Sequence, residues 1–413
     1  MGRLSRAQAQ ERNRAKVLAA ARGEFAEHGF RDAKVDGIAQ RAGLTRGAVY
    51  SNFPGKRALY FAVLADLAER APEPPHPEPG RTAREALGLL ARAWVTRLPL
   101  ADVGEQHGMA RLGMYLLPEV LAEERTRRPF AQLMKVDAIL LGLALEGLRP
   151  SGAPAGSLVR VAEAVLTTLH GANQLAAAAP GFIEPFNVVS ACEQLAGLDL
   201  HDWWPPAHVI TQVRETDEPW SPPRALDAVR GEPALLAGDG VVAVLGLHRL
   251  EAVEEAVRAA PPGTRVTAVV VTGDPDELAP LARLAVAELC RCLRQAFPPS
   301  AWPRVQVVFD ESGALAAAAG LPAVSDGTEA AVRIEADRIV ACADGRGACH
   351  AVTSALTAAS GAMGAGAAVD ADAAVDADTG PPPESRTPGG RPPGDRGRSG
   401  RTPAGPSGRP ALG

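Results

Sequence analysis

Two short apolar-periodic segments joined by one glycine turn constrain this chain more than any other feature. Val35, Ile38, Ala39 and Ala42 share one helical face. Gly43-Leu44 follows, and Thr45 opens a second helix expected over residues 46–53. Apolar groups three and four apart mark a helix that buries one stripe. Glycine just past the stripe tolerates the left-handed backbone that ends a helix, and threonine accepts the unpaired N–H groups that begin the next. Ahead of this pair, residues 7–28 form a longer helix with Val17, Leu18, Ala21 and Phe25 inward and Gly29 as its C-terminal cap. Behind it, Pro54-Gly55 separates a fourth helix striped by Leu59, Tyr60, Val63, Leu64 and Leu67. Helix, tight turn, helix is the helix-turn-helix plan, whose second helix enters the DNA major groove N-terminus first.

The residues on that second helix suit such a task. Gly47 and Ala48 let the backbone approach a duplex closely, and Thr45, Arg46, Tyr50, Ser51 and Asn52 offer donors and acceptors. Lys56 is placed to reach a phosphate. The chain carries a net charge of −5, yet residues 1–57 hold twelve basic and five acidic side chains, an excess of seven. A basic end on an acidic protein points to a polyanion partner; a solvated charged surface would carry the same charge.

Gly29-Phe30, Val35, Ile38-Ala39, Ala42-Gly43-Leu44-Thr45, Gly47, Tyr50, Phe53, Lys56 and Leu59 follow in an order and spacing that resembles the DNA-binding signature of the TetR family, over about residues 10–65. The resemblance implies double-stranded DNA as partner, with Arg46 and Tyr50 on bases or backbone and Asn52 and Lys56 on phosphates. It also implies a homodimer on a palindromic operator and a repressor that responds to a small-molecule effector. One position departs from the family pattern: Ala33-Lys34 stand where a threonine or serine usually precedes the valine that opens the second helix. Neither side chain caps a helix, at a cost of about 1 kcal/mol, which Asp36 in the first turn partly offsets. Lys34 offers a phosphate contact in place of the hydroxyl.

At 413 residues the chain exceeds one ordinary core, and a multi-domain fold is expected. Residues 1–70 form the all-α helix-turn-helix domain. After a Pro-rich break at 71–80, residues 81–200 form a helical ligand-binding and dimerisation domain, with helices at 82–98, 103–117, 118–148, 155–178 and 185–197. By the same resemblance the last two build the dimer interface. Ala162, Val165, Leu166, Leu169, Ala172 and Ala176 make an apolar stripe on the first of them, which is core or interface. A pocket is expected among the helices of 82–148, with Trp94, His107, Met109, Arg111, Tyr115, Met134 and Asn173 as the groups to test; ordinary packing is the competing account of each.

Residues 201–235, Trp/Pro-rich and aperiodic, read as a linker or packed extended arm. Residues 236–360 alternate β-branched runs with helical patterns. Strands are expected at 241–247, 265–273, 304–310, 330–337 and 338–343, and helices at 250–260, 275–297, 313–320 and 348–359. This order looks like a thioredoxin-like α/β fold. Its chemistry is missing: a thiol oxidoreductase places a low-pKa cysteine at the first strand-to-helix junction, and that junction here is Leu247-His248-Arg249-Leu250. Five cysteines at irregular spacing argue against a disulfide framework. Cys290 and Cys292, two apart on a helix, point about 200° from one another, and Cys349-His350 is too small a set for a metal. The expectation is therefore a regulator rather than an enzyme, with no cofactor. The alternatives are a DNA-targeted redox switch or thiol-dependent enzyme, and a scaffold that recruits a partner through residues 236–360. Residues 361–413 lack large apolar groups and are expected to be disordered. No apolar run is long enough to span a bilayer, so no membrane partner and a cytoplasmic location are expected.

Overall fold

The computed structural model describes residues 5–71, 78–98, 112–150, 152, 156–200, 209 and 211–356. The expected tail at 361–413 and most of the expected helix at 103–117 lie outside these residues, as do His107, Met109 and Arg111.

Ser5 begins the first helix with a reciprocal cap. Its hydroxyl accepts from the Gln8 N–H while the Gln8 side chain accepts from the Ser5 N–H, which satisfies two donors that a helix start leaves open. α1 (Arg6–Asp32) departs from helical geometry at Gly29, whose φ is +71°. α2 (Val35–Ala42) ends on Gly43 at φ +63°, and Thr45 caps α3 (Arg46–Tyr50) by accepting from the Ala48 N–H at 3.2 Å. α3 stops three residues short of the expected Phe53. There the Asn52 amide folds back onto the Ala48 carbonyl at 2.7 Å and Phe53 drops into the core. α4 (Lys56–Arg70) is buried along most of its length, from Ala58 to Leu67.

The helical region continues with α5 (Ala83–Val95), α6 (Leu116–Leu121), α7 (Glu124–Gly147), α8 (Val159–Ala178) and α9 (Pro185–Leu195). The single helix expected at 118–148 is thus two. The chain turns at Glu123, and the buried Thr126 hydroxyl holds the turn by donating to the Val120 and Glu123 carbonyls at 2.7 and 2.8 Å. The α8 stripe resolves as core: Ala162, Val165, Leu166, Leu169, Ala172 and Ala176 are all buried within the chain itself.

Of the two alternatives for residues 201–235, the described residues form the packed extended arm. Arg214–Pro219 form β1, and Leu226–Asp227 (β2) pairs with Glu232–Pro233 (β3). Then follow β4 (Gly240–Gly246), α10 (Ala252–Ala259), β5 (Val266–Val271), α11 (Pro275–Ala296), β6 (Val305–Phe309), α12 (Ala314–Ala318), β7 (Glu329–Glu335) and β8 (Arg338–Asp344), with helical residues at 348–356. The six-stranded sheet runs β1-β8-β7-β4-β5-β6. β4, β5 and β6 are parallel, while β7, β8 and β1 are antiparallel to their neighbours. β5 reads Val-Thr-Ala-Val-Val-Val and is buried on both faces, as a central parallel strand must be. The element order matches expectation, but β1 adds a sixth strand outside β8. The sheet is mixed α/β, and the thioredoxin likeness rests on element order alone.

The two regions share one core. A continuous apolar cluster runs from Phe25 and Phe53 through α4, α5, α7 and α8 into α11 and the inner-face residues Val241, Ala243, Ala268 and Val307. A second cluster, with Trp220, Val242, Val269 and Leu315, covers the opposite face of the sheet. Ion pairs cross between the regions at the rim. Arg258 on α10 meets Glu146 on α7 at 2.6 Å, Arg57 on α4 pairs with Glu277 on α11, and Arg125 reaches the same Glu277 at 2.8 Å.

Truncation of Leu281, fully buried on α11, should cost roughly 2–5 kcal/mol. Urea denaturation of Leu281→Ala is expected to show that loss as a lower midpoint with unchanged slope; a loss under about 1 kcal/mol would show that α11 is not packed as described.

Candidate nucleic-acid interface

The exposed surface of the α2–α3 pair is built from below by three contacts. Val49, Phe53 and Ile38 are buried and fix the two helices on α1 and α4. The buried Glu24 carboxylate on α1 accepts from the Lys34 N–H at 3.4 Å and from the Arg41 Nε at 2.8 Å. It therefore takes over part of the capping that neither Ala33 nor Lys34 provides, and Lys34 itself makes no side-chain cap. Gly37 leaves room for the same carboxylate, since a Cβ there would lie 2.5 Å from Glu24 Oε1 and the carboxylate would have to shift. On the far side of α3, Arg14 donates to the Asn52 carbonyl at 3.1 Å and lies over the Phe53 ring, 4.4 Å from its centre. Glu24, Arg41 and Arg14 were not singled out from the sequence, where each is one charged residue among many.

The sequence-derived contact residues fall into two groups. Lys34, Thr45, Arg46, Gly47, Tyr50 and Ser51 are exposed together on the α2–α3 surface. Arg46 is held loosely, 3.5 Å from Asp36 and 5.6 Å from the centre of the Tyr50 ring. Such exposed pairs are worth little, so the guanidinium is available to another partner. Asn52 and Lys56 are turned inward. The Asn52 amide nitrogen is used on Ala48, which leaves a buried oxygen that cannot bind an anion. The Lys56 ammonium donates to the Arg31 carbonyl at 3.0 Å and sits 4.7 Å from the centre of the Phe30 ring. Burial holds its pKa below the usual lysine value. Its first role here is to close the end of α1, with two N–H donors left for a phosphate.

A second site lies behind this surface. A cavity of about 570 Å³ opens between α4, α5, α8 and α11. Of the pocket residues expected from the sequence, Trp94 and Asn173 line it, while Met134 lines two smaller adjoining voids. Tyr115 stands elsewhere, against Gly29, where a side chain would meet its hydroxyl at 3.1 Å. The sequence did not mark Arg97, His170, Glu288 and Arg291, which also line the cavity. Glu288 and Arg291 follow Leu284 at helical spacing on α11, but no local pattern says that α11 faces α4 across a void. Burial lowers the His170 pKa and raises that of Asp137 well above its usual value, so in both it disfavours the charged form.

The thiols are poorly suited to redox chemistry. Cys192, Cys290, Cys292 and Cys349 are buried, Cys342 is half-buried, and all five are free. Burial pushes the Cys192 thiol up to about 12 and those of Cys290 and Cys349 upward as well, away from the thiolate that reactivity requires. At the junction where a thiolate would stand, Arg249 instead pairs with the buried Glu329 at 2.6 Å.

Residues 17–63 match the family described as bacterial regulatory proteins, tetR family. The chain is 46% identical over 65 residues to the HTH-type transcriptional regulator SrpR of Pseudomonas putida, covering 16% of this chain and 30% of that protein. It is 46% identical over 65 residues to the HTH-type regulator TtgW of the same species, covering 16% and 48% respectively. The chain thus spans 30% and 48% of the length of these two curated relatives. A solved TetR transcriptional regulator from Rhodococcus aligns at 20% identity over 46% of this chain and 94% of the other, with a TM-score of 0.31.

Glu24→Ala leaves the Lys34 N–H and Arg41 without their acceptor. It is expected to lower the thermal midpoint by a few degrees and to raise hydrogen exchange in α2 selectively. Unchanged α2 exchange would remove Glu24 from its supporting role.

Proposed function

We propose that this chain is a TetR-like transcriptional regulator that binds a palindromic duplex operator as a homodimer and responds to a small-molecule effector. The observation that carries this reading is the joint exposure of Thr45, Arg46, Gly47, Tyr50 and Ser51 along α3 and its two caps, on a buried scaffold that matches a regulatory family at residues 17–63. A helix presented N-terminus first places its polar side chains against base edges, and Lys34 at the start of α2 supplies a cation for the flanking phosphate. The basic excess of residues 1–57 favours approach to a polyanion. Repression is the sense of regulation carried by the family resemblance.

A second copy is the partner that suits the α8–α9 surface. Leu175, Phe182 and Phe186 are 44%, 70% and 80% exposed, large apolar groups clustered in sequence around one helix turn. An apolar patch of this kind is a site of association, and paired heads read paired half-sites. The redox alternative draws no support from five thiols of which four are buried, and the reading assigns no catalytic step to the chain.

Fluorescence anisotropy on a selected operator and on unrelated duplex tests the assignment. Arg46→Ala should weaken operator binding about tenfold or more and unrelated duplex much less. Lys34→Ala should weaken both alike and reduce the salt slope by about one. Phe182→Asp with Phe186→Asp should yield monomers in sedimentation and a steep loss of operator affinity. Equal losses on both duplexes for Arg46→Ala, or an unaltered dimer, would contradict the respective roles.

A further inference from the structure

We infer that the cavity between α4, α5, α8 and α11 takes an amphipathic carboxylate, with its apolar body against Leu64, Leu67 and Leu284 and its anionic end at Arg291. The inference rests on the effector-responsive reading above. It adds the chemical class of the effector and the element that selects it, helix α11 of the α/β region.

Among the described residues, the charges that line the cavity do not balance. Arg97 Nη1 lies 3.6 Å from Glu288 Oε1, and its guanidinium sits 4.8 Å from the centre of the Trp94 ring with Nη2 3.5 Å from Cys292 Sγ. Glu288 is thereby occupied. Arg291 follows Glu288 by three residues and lines the cavity on the same helix face. Among the described residues it has no hydrogen bond and no ion pair. Its half-buried position, and then the nearby Arg97 charge, push its pKa below the usual arginine value. Two guanidinium groups thus share one carboxylate, and the one left over faces an otherwise largely apolar space.

A ligand that enters this space must answer that charge. A carboxylate does so with two parallel hydrogen bonds to a guanidinium. A neutral ligand would bury Arg291 further without a partner, and a cationic one would add a third positive charge, both costly in a partly dry site. The volume of about 570 Å³ is in the range of small-molecule sites. His170 supports a ligand site independently. Its ring stands 5.0 Å from that of Trp94, lines the cavity, and keeps a buried Nε2 with no partner. A second polar group on the ligand would satisfy it.

The cavity also links ligand to duplex. Leu64, Leu67 and Ala68 belong to α4, which begins directly after the α3 turn, whereas Leu284, Glu288 and Arg291 belong to α11. A ligand clamped at Arg291 is held by the α/β region and pressed against the helix that carries the DNA-contacting pair, so filling the site biases the position of α3.

Calorimetry on the full chain without DNA tests the site, with decanoate, decanol and decylamine as chain-matched probes. Decanoate should bind at least about tenfold tighter than the other two. Arg291→Gln should abolish that preference by weakening decanoate while decanol binds as well as before or better, and Arg291→Lys should restore part of it. Equal binding of the three probes, no binding of any, or a preference that survives Arg291→Gln would overturn the assignment. Duplex selection by the same preparation separates the two readings. Decanoate binding without duplex selection leaves the site standing and removes the regulator; selection without decanoate binding removes the site alone.

Discussion

Helix α11 is buried on more sides than an ordinary sheet-covering helix, and the arrangement of the other elements follows from that. Fifteen of its 22 residues are buried, where a helix that covers a sheet and faces water on its back would bury about one stripe. It packs along α4, α5 and α7 and belongs to the same apolar cluster as the inner face of the sheet. Cys290 and Cys292 illustrate this: they point to nearly opposite sides of the helix and both are buried. Each fully buried leucine on such a helix contributes roughly 1.5–3 kcal/mol. The Arg57–Glu277 and Arg258–Glu146 ion pairs between the regions are largely buried, and the cost of taking their charges out of water offsets much of their attraction. Packing therefore joins the two regions, and Arg57–Glu277, Arg125–Glu277 and Arg258–Glu146 set how they are oriented.

This arrangement changes what the α/β region can be. It is no independent module on a tether, because it shares its core with the helical region. Through α11 it supplies a wall of the cavity and flanks α4, the helix that carries the α2–α3 surface. Arg57, one residue after Lys56, ties the start of α4 to α11 and to Glu123, whose carboxyl is held down to about 2 by hydrogen bonds from Arg57 and Arg125. The α2–α3 surface is thus braced from two directions, by Glu24 on α1 and by α11.

Local signals were legible in the sequence, and pairings over distance were not. The first four helices, their glycine ends and the Thr45 cap could be read because period and cap chemistry act within a few residues. The exposed half of the candidate contact surface followed, since exposure on a short amphipathic helix is a matter of phase. The inward turn of Asn52 and Lys56 is not visible in the sequence because it depends on Ala48, Arg31 and Phe30, of which the last two are distant in the chain. Glu24 carried no local signal, as its partners are the Lys34 N–H and Arg41. The α8 stripe was ambiguous for the same reason: core and interface present identical periodicity. Residues 214–219 looked like linker because an edge strand of charged residues ending in proline has no apolar alternation, yet it pairs with β8. Arg291 could not be recognised at all without knowing that α11 borders a void.

Native-state hydrogen exchange across a urea series measures most directly whether the two regions are one cooperative body. The amides of α4, of α11 and of β5 should converge on a single opening free energy and a single, large denaturant dependence, equal to those of global unfolding. An opening of α4 at much lower free energy and shallow slope, with α11 and β5 still protected, would show that the first four helices ride loosely on the rest and that α11 does not hold them.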